Sequence, residues 1–350
     1  MRVLHVAALP FPSPQGTQGL LHAMLMAHAE AGHDAHLLCY PGHELDLPYT
    51  VHRCAAPRPI SQRSGPSWQK LALDGALARA FVKLARQGFD LIVAHHVEAA
   101  ALALALRIPA HFYAHTDLAA ELPSYFAPAL ARPLRWLGAR DRVLARCMPT
   151  FAVSPLLASR VGGEVPPLPW TIPPPIADEE RIAARSSLAL QGKRVALYAG
   201  NLDRYQGLQP AIAAIARSDL HWVIATESPI RDFARALYPF FGRVRFARLN
   251  DERARRRAYA ACDFAIVPRD VPGGIPIKLF DALARGVPVV ATRNALAGYP
   301  FERFCTVVDR EWRFELTTED ARPYLRTAHA PARFAAELSA RAGRQGAARA

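Results

Sequence analysis

Short apolar runs alternate along this chain with longer stretches whose apolar residues recur at helical spacing. No other feature restricts its fold as much. RVLHVAAL, DAHLLCY, DLIVAHH, AHFYAHT and PTFAVS read as strands in the first half, and GKRVALYAG, LHWVIAT, RVRFARL, DFAIVP, GVPVVAT and FCTVVD in the second. Between them, stretches such as TQGLLHAMLMAHAEAGH, GLQPAIAAIARS and IPIKLFDALARG are apolar at helical spacing. Strand–helix alternation predicts an α/β chain with doubly wound parallel sheets, covered by helices on both faces.

The alternation pauses once, at GGEVPPLPWTIPPPIADEE, where six prolines can continue neither a helix nor a central strand. The pause predicts a first domain over 1–165, a proline-rich linker over 166–190 and a second domain over 191–328. A C-terminal helix with a basic tail is expected over 329–350. In a doubly wound protein the ligand is expected at the carboxyl ends of the strands, in the cleft between the halves.

Composition narrows the function classes. Five cysteines, far apart and without a C-x-x-C pair, argue for reduced thiols in a cytoplasmic compartment and against a disulfide framework or zinc site. The opening MRVLHVAALPF breaks at Pro10 and reads as a first core strand rather than a leader. The longest apolar run, AAALALALRIPAHF, is interrupted by Arg107 and Pro109 and falls short of a membrane span. The net charge of +13 comes overwhelmingly from arginine and suits an anionic substrate or an anionic membrane surface. Without a basic run interleaved with aromatics, nucleic acid is not an expected partner.

Several turns carry residues suited to chemistry. In PFPSPQGTQGLLHAML, Gly16 permits close backbone approach and Thr17 is placed to cap the next helix, whose amides would seat an anion. A turn of this composition is equally a plain structural turn. His95 and His96 end the strand DLIVAHH, where alternation sends them to opposite faces, and His115 ends the next strand. In the second half, Gly200 begins another glycine turn. VPGGIPIKLFDALARGVPVVAT joins a loop containing Gly273 and Gly274 to a helix opening near Pro276. Lys278 in its first turn opposes the helix dipole, a small cost that a bound phosphate would offset; a solvated lysine is the alternative. There is no D-x-D cluster, H-E-x-x-H, P-loop or G-x-S-x-G elbow, so no metal is expected.

In this order, these pieces resemble the retaining glycosyltransferases of family 4, which have the GT-B fold of two Rossmann-like domains. The resemblance runs from QGTQ to the strand after ARGVPVV. Of the family's G-G-x-E loop, Gly16 carries over; of its D-x-x-H-x-H strand end, His95 does, with Val93 at the first histidine. The resemblance implies that His95 lies beside the donor sugar. Where the family has G-R-x…K-G to hold the donor diphosphate, this chain has Gly200-Asn201 and Gln206-Gly207. The family's E-x7-E motif, with its first glutamate on the sugar and its second on the ribose, becomes Gly273 and Asp281. Variants of the form G-x-P-x-K-L occur among sequences similar to the family, and Lys278, Arg204 and Arg269 are the available replacements for the missing cations.

The activity implied is transfer of a sugar, with retention, from a UDP-, GDP- or ADP-sugar to an acceptor hydroxyl in glycan, glycolipid or cell-envelope polysaccharide biosynthesis. In the family's favoured route the departing phosphate helps to take the acceptor proton. His95, Lys278 and Asp281 are the expected catalytic residues. The donor is expected to be bound by Gly16, Thr17, Gly200, Asn201, Arg204, Gln206, Gly273, Gly274, Ile275 and Pro276. A glycan or lipid-linked acceptor is expected on the first domain, near QGTQ, the Arg58–Arg63 loop and HTDLAAELPSYF. The basic, apolar-studded ARPLRWLGARDRVLARCM suits peripheral contact with an anionic membrane. The alternatives are a non-catalytic sugar-nucleotide-binding protein on a degenerate scaffold and a sugar-nucleotide epimerase.

Overall fold

A computed structural model describes residues 1–347 except 14–15, 56–67, 127, 204–205, 231–232, 234, 236, 273, 309–313 and 317–318. The first sheet contains β1 (Arg2–Pro10), β2 (Asp34–Tyr40), β3 (Thr50–Arg53), β4 (Leu91–His95), β5 (His111–Ala114) and β6 (Thr150–Ala152). The second contains β7 (Val195–Ala199), β8 (His221–Ala225), β9 (Val244–Ala247), β10 (Phe264–Val267), β11 (Val289–Thr292) and β12 (Cys305–Val308). Every described pairing between these strands is parallel.

The first sheet runs β3-β2-β1-β4-β5-β6, and the second runs β12-β11-β10-β7-β8-β9. Counted from its own first strand, each has the doubly wound order 3-2-1-4-5-6. The strand order reverses direction between β1 and β4 in one sheet, and between β7 and β10 in the other. Ligands of such sheets collect at the carboxyl ends of those strands. The predicted α/β architecture is therefore present twice.

β3 is the strand that the apolar pattern misses. It is short, lies at the sheet edge, and its Thr50-Val-His-Arg53 sequence is only partly buried. By contrast, β1 is a nearly unbroken buried run, as expected of a central parallel strand covered on both faces.

Contact grouping gives two compact units. The first is Met1–Trp170 with Gly273–Ile275 and Thr327–Ala350; the second is Thr171–Pro272 with Pro276–Arg326. The division falls inside the proline-rich stretch, and Asp178–Ser187 within that stretch is helical. The final helix, Pro331–Ala347, packs on the Gly16–Glu30 helix of the first unit, burying Phe334, Ala335 and Leu338 completely. The core of the second unit gathers Tyr198, Trp222, Ile224, Phe264 and Val290, and so anchors β7 and β10.

Candidate functional site

In the second unit, β7 hands the chain to Gly200, whose φ of 145° falls where side chains are strained. A Cβ on Gly200 would lie 3.0 Å from the Lys278 Nζ, so the turn has room for that amine because the residue is glycine. Lys278 is the second residue of the Ile277–Ala284 helix, which begins one residue later than the sequence suggests, with Pro276 at the N-cap position. Its Nζ donates to the Tyr198 hydroxyl and to the Gln206 side-chain oxygen, each at 2.8 Å, and lies 4.1 Å from the Tyr198 ring centre.

A polar chain continues outward from Gln206. Its amide nitrogen donates to the Asn201 Oδ1 at 2.6 Å, and the Asn201 Nδ2 donates to Asp203 at 2.6 Å. The Tyr198 hydroxyl donates in turn to the Asn201 carbonyl. Gly207, with φ 65°, brings the chain against the Pro268 carbonyl, 2.1 Å from where a Cβ would stand. The loop following β7 is thus pinned to the loop following β10, which are the two loops at the switch point of this sheet.

Burial pushes the Lys278 amine well below its ordinary value; Arg269 pushes the same way, and Asp203 opposes both. Arg269 is itself buried, with its Nε on the Val271 carbonyl. Lys278, Arg269 and the Gly200 turn therefore converge beside the Asp203 carboxylate, itself drawn into the Asn201 contact, with the Asp270 carboxylate against Gly207. This arrangement is suited to an anion.

Asp281 is one turn further along the same helix and keeps different company. Its Oδ1 accepts from the Arg285 Nε at 3.0 Å, and its Oδ2 faces the Arg255 Nε at 3.7 Å. Burial pushes its carboxyl upward, and Arg285 and then Arg255 oppose that shift. Arg285 also reaches Glu252 at 2.7 Å and lies 5.2 Å from the Tyr259 ring centre. Asp281 is therefore fixed in orientation, while Lys278 belongs to the separate Tyr198–Gln206 network.

In the first unit, His95 ends β4 fully buried, and the next residue turns with φ 66°. That left-handed residue corrects the alternation argument. The chain leaves the strand at His96, so both rings meet His115: His95 through a 2.8 Å nitrogen–nitrogen hydrogen bond, His96 by stacking at 4.7 Å. His95 also bonds His5 of β1 at 2.8 Å. Burial, more than the neighbouring rings, pushes His5, His95 and His115 well below their ordinary value, so all three are neutral at pH 7.

The remaining expected residues have varied settings. The first helix already includes Gly16 and Thr17, so Thr17 is a first-turn residue rather than the expected cap. Gly274 and Ile275 group with the first unit, and Ile275 is buried. Arg204, Gly273 and the Arg58–Arg63 loop lie outside the described residues.

Residues 14–181 match the family described as Glycosyltransferase Family 4, and residues 193–302 match Glycosyl transferases group 1. The chain is a glycosyltransferase of the GT-B type. None of the curated proteins matches it. Among solved structures, this transferase is similar to a sucrose-phosphate synthase from Thermosynechococcus elongatus, with TM-score 0.69 and 16% identity over 98% of this chain and 94% of that one. It is also similar to Anabaena HepE solved with UDP and glucose, with TM-score 0.66 and 16% identity over 99% and 98% of the two chains. For the catalytic domain of Arabidopsis thaliana starch synthase IV, bound to ADP and acarbose, the values are 0.63, 18%, 88% and 85%. At such identities the likeness speaks for the fold.

Two residues of these networks escaped the sequence reading. Tyr198 looks like one more core aromatic in β7, and only its hydroxyl's partners set it apart. His5 had a signal: it is the one polar residue between Val3 and Leu9. Among the described residues, no group of three or more His, Cys, Asp or Glu is arranged to hold a metal ion, and no helix is long and apolar enough to cross a membrane.

Proposed function

We propose that this transferase moves a sugar, with retention and without a metal, from a nucleotide-sugar donor to an acceptor hydroxyl in glycan, glycolipid or cell-envelope polysaccharide biosynthesis. The observation that carries the reading is the Lys278 amine resting on the Gly200 turn, bonded to Gln206. The family resemblance expects a diphosphate-binding lysine at position 206, and this chain has glutamine there. Lys278 supplies a cation to the same loop from the helix that follows β10.

In this reading the donor diphosphate occupies the Gly200–Asn201 turn and takes hydrogen bonds from Lys278. Arg269 and Arg204 are the further candidates to supply positive charge, and Gly273, Gly274, Ile275 and Pro276 are assigned to the donor. Asp281, oriented by Arg285, accepts from the ribose hydroxyls, while His95, expected beside the sugar, is wholly enclosed with both ring nitrogens on His5 and His115 and acts from behind His115. As the anomeric bond breaks, negative charge grows on the departing diphosphate, and a preorganised cation there lowers the barrier. Loss of one such group costs about 3 kcal/mol in comparable oxyanion sites.

The acceptor, a glycan or a lipid-linked saccharide, belongs to the first unit with Gly16 and Thr17. The helices Ala131–Gly138 and Arg140–Cys147 support peripheral contact with an anionic membrane on the cytoplasmic side. Trp136 is 72% exposed and Val143 55%, among Arg132, Arg135, Arg140, Arg142 and Arg146, while the acid of this segment, Asp141, is buried. Greater sedimentation with phosphatidylglycerol vesicles than with phosphatidylcholine vesicles is the expected result, and equal sedimentation counts against the contact.

Calorimetric titration with UDP-, GDP- and ADP-glucose tests the donor site, using wild type and Lys278→Met. Saturable binding to one series, weakened by the substitution, is expected. Folded wild-type protein that binds none of them would count against a donor site in this chain.

A further inference from the structure

Three fully or nearly buried histidines of the first unit form one continuous hydrogen-bonded row. The His5 Nδ1 meets the His95 Nε2 at 2.8 Å, and the His95 Nδ1 meets the His115 Nε2 at 2.8 Å. The rings come from β1, from the end of β4 and from the residue after β5, so three adjacent parallel strands build the row. His115 is 6% exposed while the other two are wholly enclosed, so the row opens at the His115 end.

A neutral imidazole has one N–H and one bare nitrogen. With three neutral rings and two nitrogen–nitrogen bonds, only two proton arrangements satisfy both bonds. In the first, each ring carries its proton on Nδ1: His5 donates to His95, His95 donates to His115, and the His5 Nε2 is bare. In the second, each proton sits on Nε2, both bonds run the other way, and the His115 Nδ1 is bare. Passing from the second to the first takes one proton in at His115 and releases one at His5. No ring need carry charge once the shift is complete, which suits a site where burial penalises imidazolium.

Beyond His5 lies the His28 ring, near it but not hydrogen-bonded to it. The His5 and His28 ring centres are 5.3 Å apart, and the Nε2 atoms of both are buried without a hydrogen-bond partner among the described residues. The His28 Nδ1 bonds the His33 Nδ1 at 3.0 Å, and His33 is partly exposed, with its Nε2 3.4 Å from the Ser339 hydroxyl. Six of the thirteen histidines, counting His96 stacked on His115, are thereby assembled in one place.

We propose that His115, His95 and His5 form a proton relay that accepts the acceptor hydroxyl's proton at His115 and passes a proton inward toward His28. The relay rests on the transferase reading above and adds a destination for the proton besides the departing phosphate. As the acceptor oxygen bonds to the anomeric carbon, its proton goes to the His115 Nδ1. The electron pair of the breaking anomeric bond leaves with the diphosphate. The His115 Nε2 proton moves to His95, the His95 Nε2 proton to His5, and the His5 Nε2 proton to the His28 Nε2, as the His28 Nδ1 proton passes to the His33 Nδ1 and the partly exposed His33 gives its Nε2 proton to solvent, so that every ring ends neutral. After product departure, the row resets by exchange with solvent at its two ends. His115 is the catalytic residue of the row, and His95 and His5 act through it.

Two measurements test the relay. Nitrogen-15 NMR of the wild-type protein, which needs no turnover, is expected to show His5, His95 and His115 averaging between the two tautomers in concert. One fixed tautomer at each ring, or a permanent imidazolium in the row, overturns the relay whatever the enzyme catalyses. The second uses His5→Gln, which can hydrogen-bond His95 but cannot pass a proton along. With the glucose nucleotide that binds as donor and water as acceptor, kcat for donor hydrolysis is expected to fall about a hundredfold. The donor KM is expected to stay unchanged, and a proton inventory curved in wild type is expected to become linear. Wild-type kcat with an unchanged inventory overturns the relay. Failure of all donors to bind would instead refute the transferase reading, and the tautomer spectra would still judge the relay.

Discussion

The Lys278 amine donates to the Gln206 side-chain oxygen at 2.8 Å across seventy-two positions of sequence. The loop that lacks the lysine expected from the resemblance is therefore met by another lysine in space. The glutamine at the place where the resemblance expects lysine holds a lysine sent from another element, and the turn between them is the one glycine, Gly200, whose missing Cβ leaves room for it.

The relocated charge makes a specific exchange testable. Lys278→Met is expected to lower kcat by about a hundred- to a thousandfold, the range for loss of one preorganised donor at a developing oxyanion. Returning the cation to its resemblance position, in the double variant Gln206→Lys with Lys278→Gln, is expected to recover part of that loss. Each single substitution alone is expected to fall below the double variant. Steady-state rates with the bound donor series decide the matter; a double variant no better than Lys278→Met would separate the two positions functionally.

Donor binding should also take up a proton. Burial and Arg269 hold the Lys278 amine low in the free protein, and the negative diphosphate would raise it again. Calorimetry in buffers of different ionisation enthalpy is expected to give an apparent enthalpy that changes with the buffer, with net uptake near neutral to alkaline pH. In Lys278→Met that buffer dependence is expected to vanish. Equal buffer dependence in both proteins would assign the proton to another group.

How much of this was legible in advance depends on whether the signal was local. The strand runs could be read because parallel strands buried on both faces leave an apolar signature, as β1 does. The edge strand β3, Thr50–Arg53, buries too little to leave one. Lys278 was noticeable as a cation at a helix start, but its partners are set by how β7 and the 277–284 helix pack, which no local pattern records. Likewise, alternation separated His95 from His96, while a single left-handed residue brings both rings onto His115.

Acid should destabilise the fold well before carboxylates titrate. Burial lowers His28 from 6.5 to about 3, with His33 adding to the shift, and lowers His111 and His329 to about 4, chiefly again by burial. These groups stay neutral in the fold, while the unfolded chain gains their protons as pH drops below about 6.5. The stability they contribute is complete above that value and is lost as pH falls through it toward the folded values. Each is expected to remove ~2 kcal/mol between pH 7 and pH 5 by that linkage. Urea melts across this window should show a steep decline, reduced in His28→Gln; a flat profile from pH 7 to pH 5 would contradict the buried neutral histidines.

Asp281 poses the final test, because its arginine partners offer a purely structural role as an alternative to ribose binding. The Arg285 side chain is 3% exposed, and Asp281→Asn leaves it with Glu252 alone. Stability is therefore expected to fall by about 1–3 kcal/mol, less than the full cost of stranding a buried charge. If the carboxylate also receives the ribose, nucleotide affinity is expected to fall as well, measured well below the melting temperature of the variant. Glu252→Gln supplies the control: it weakens the same arginine network from its exposed side without touching Asp281. A nucleotide affinity lowered equally by both substitutions would mean that Asp281 acts only by holding the helix in place. A loss confined to Asp281→Asn would mean that one carboxylate both ties down Arg285 and binds the donor.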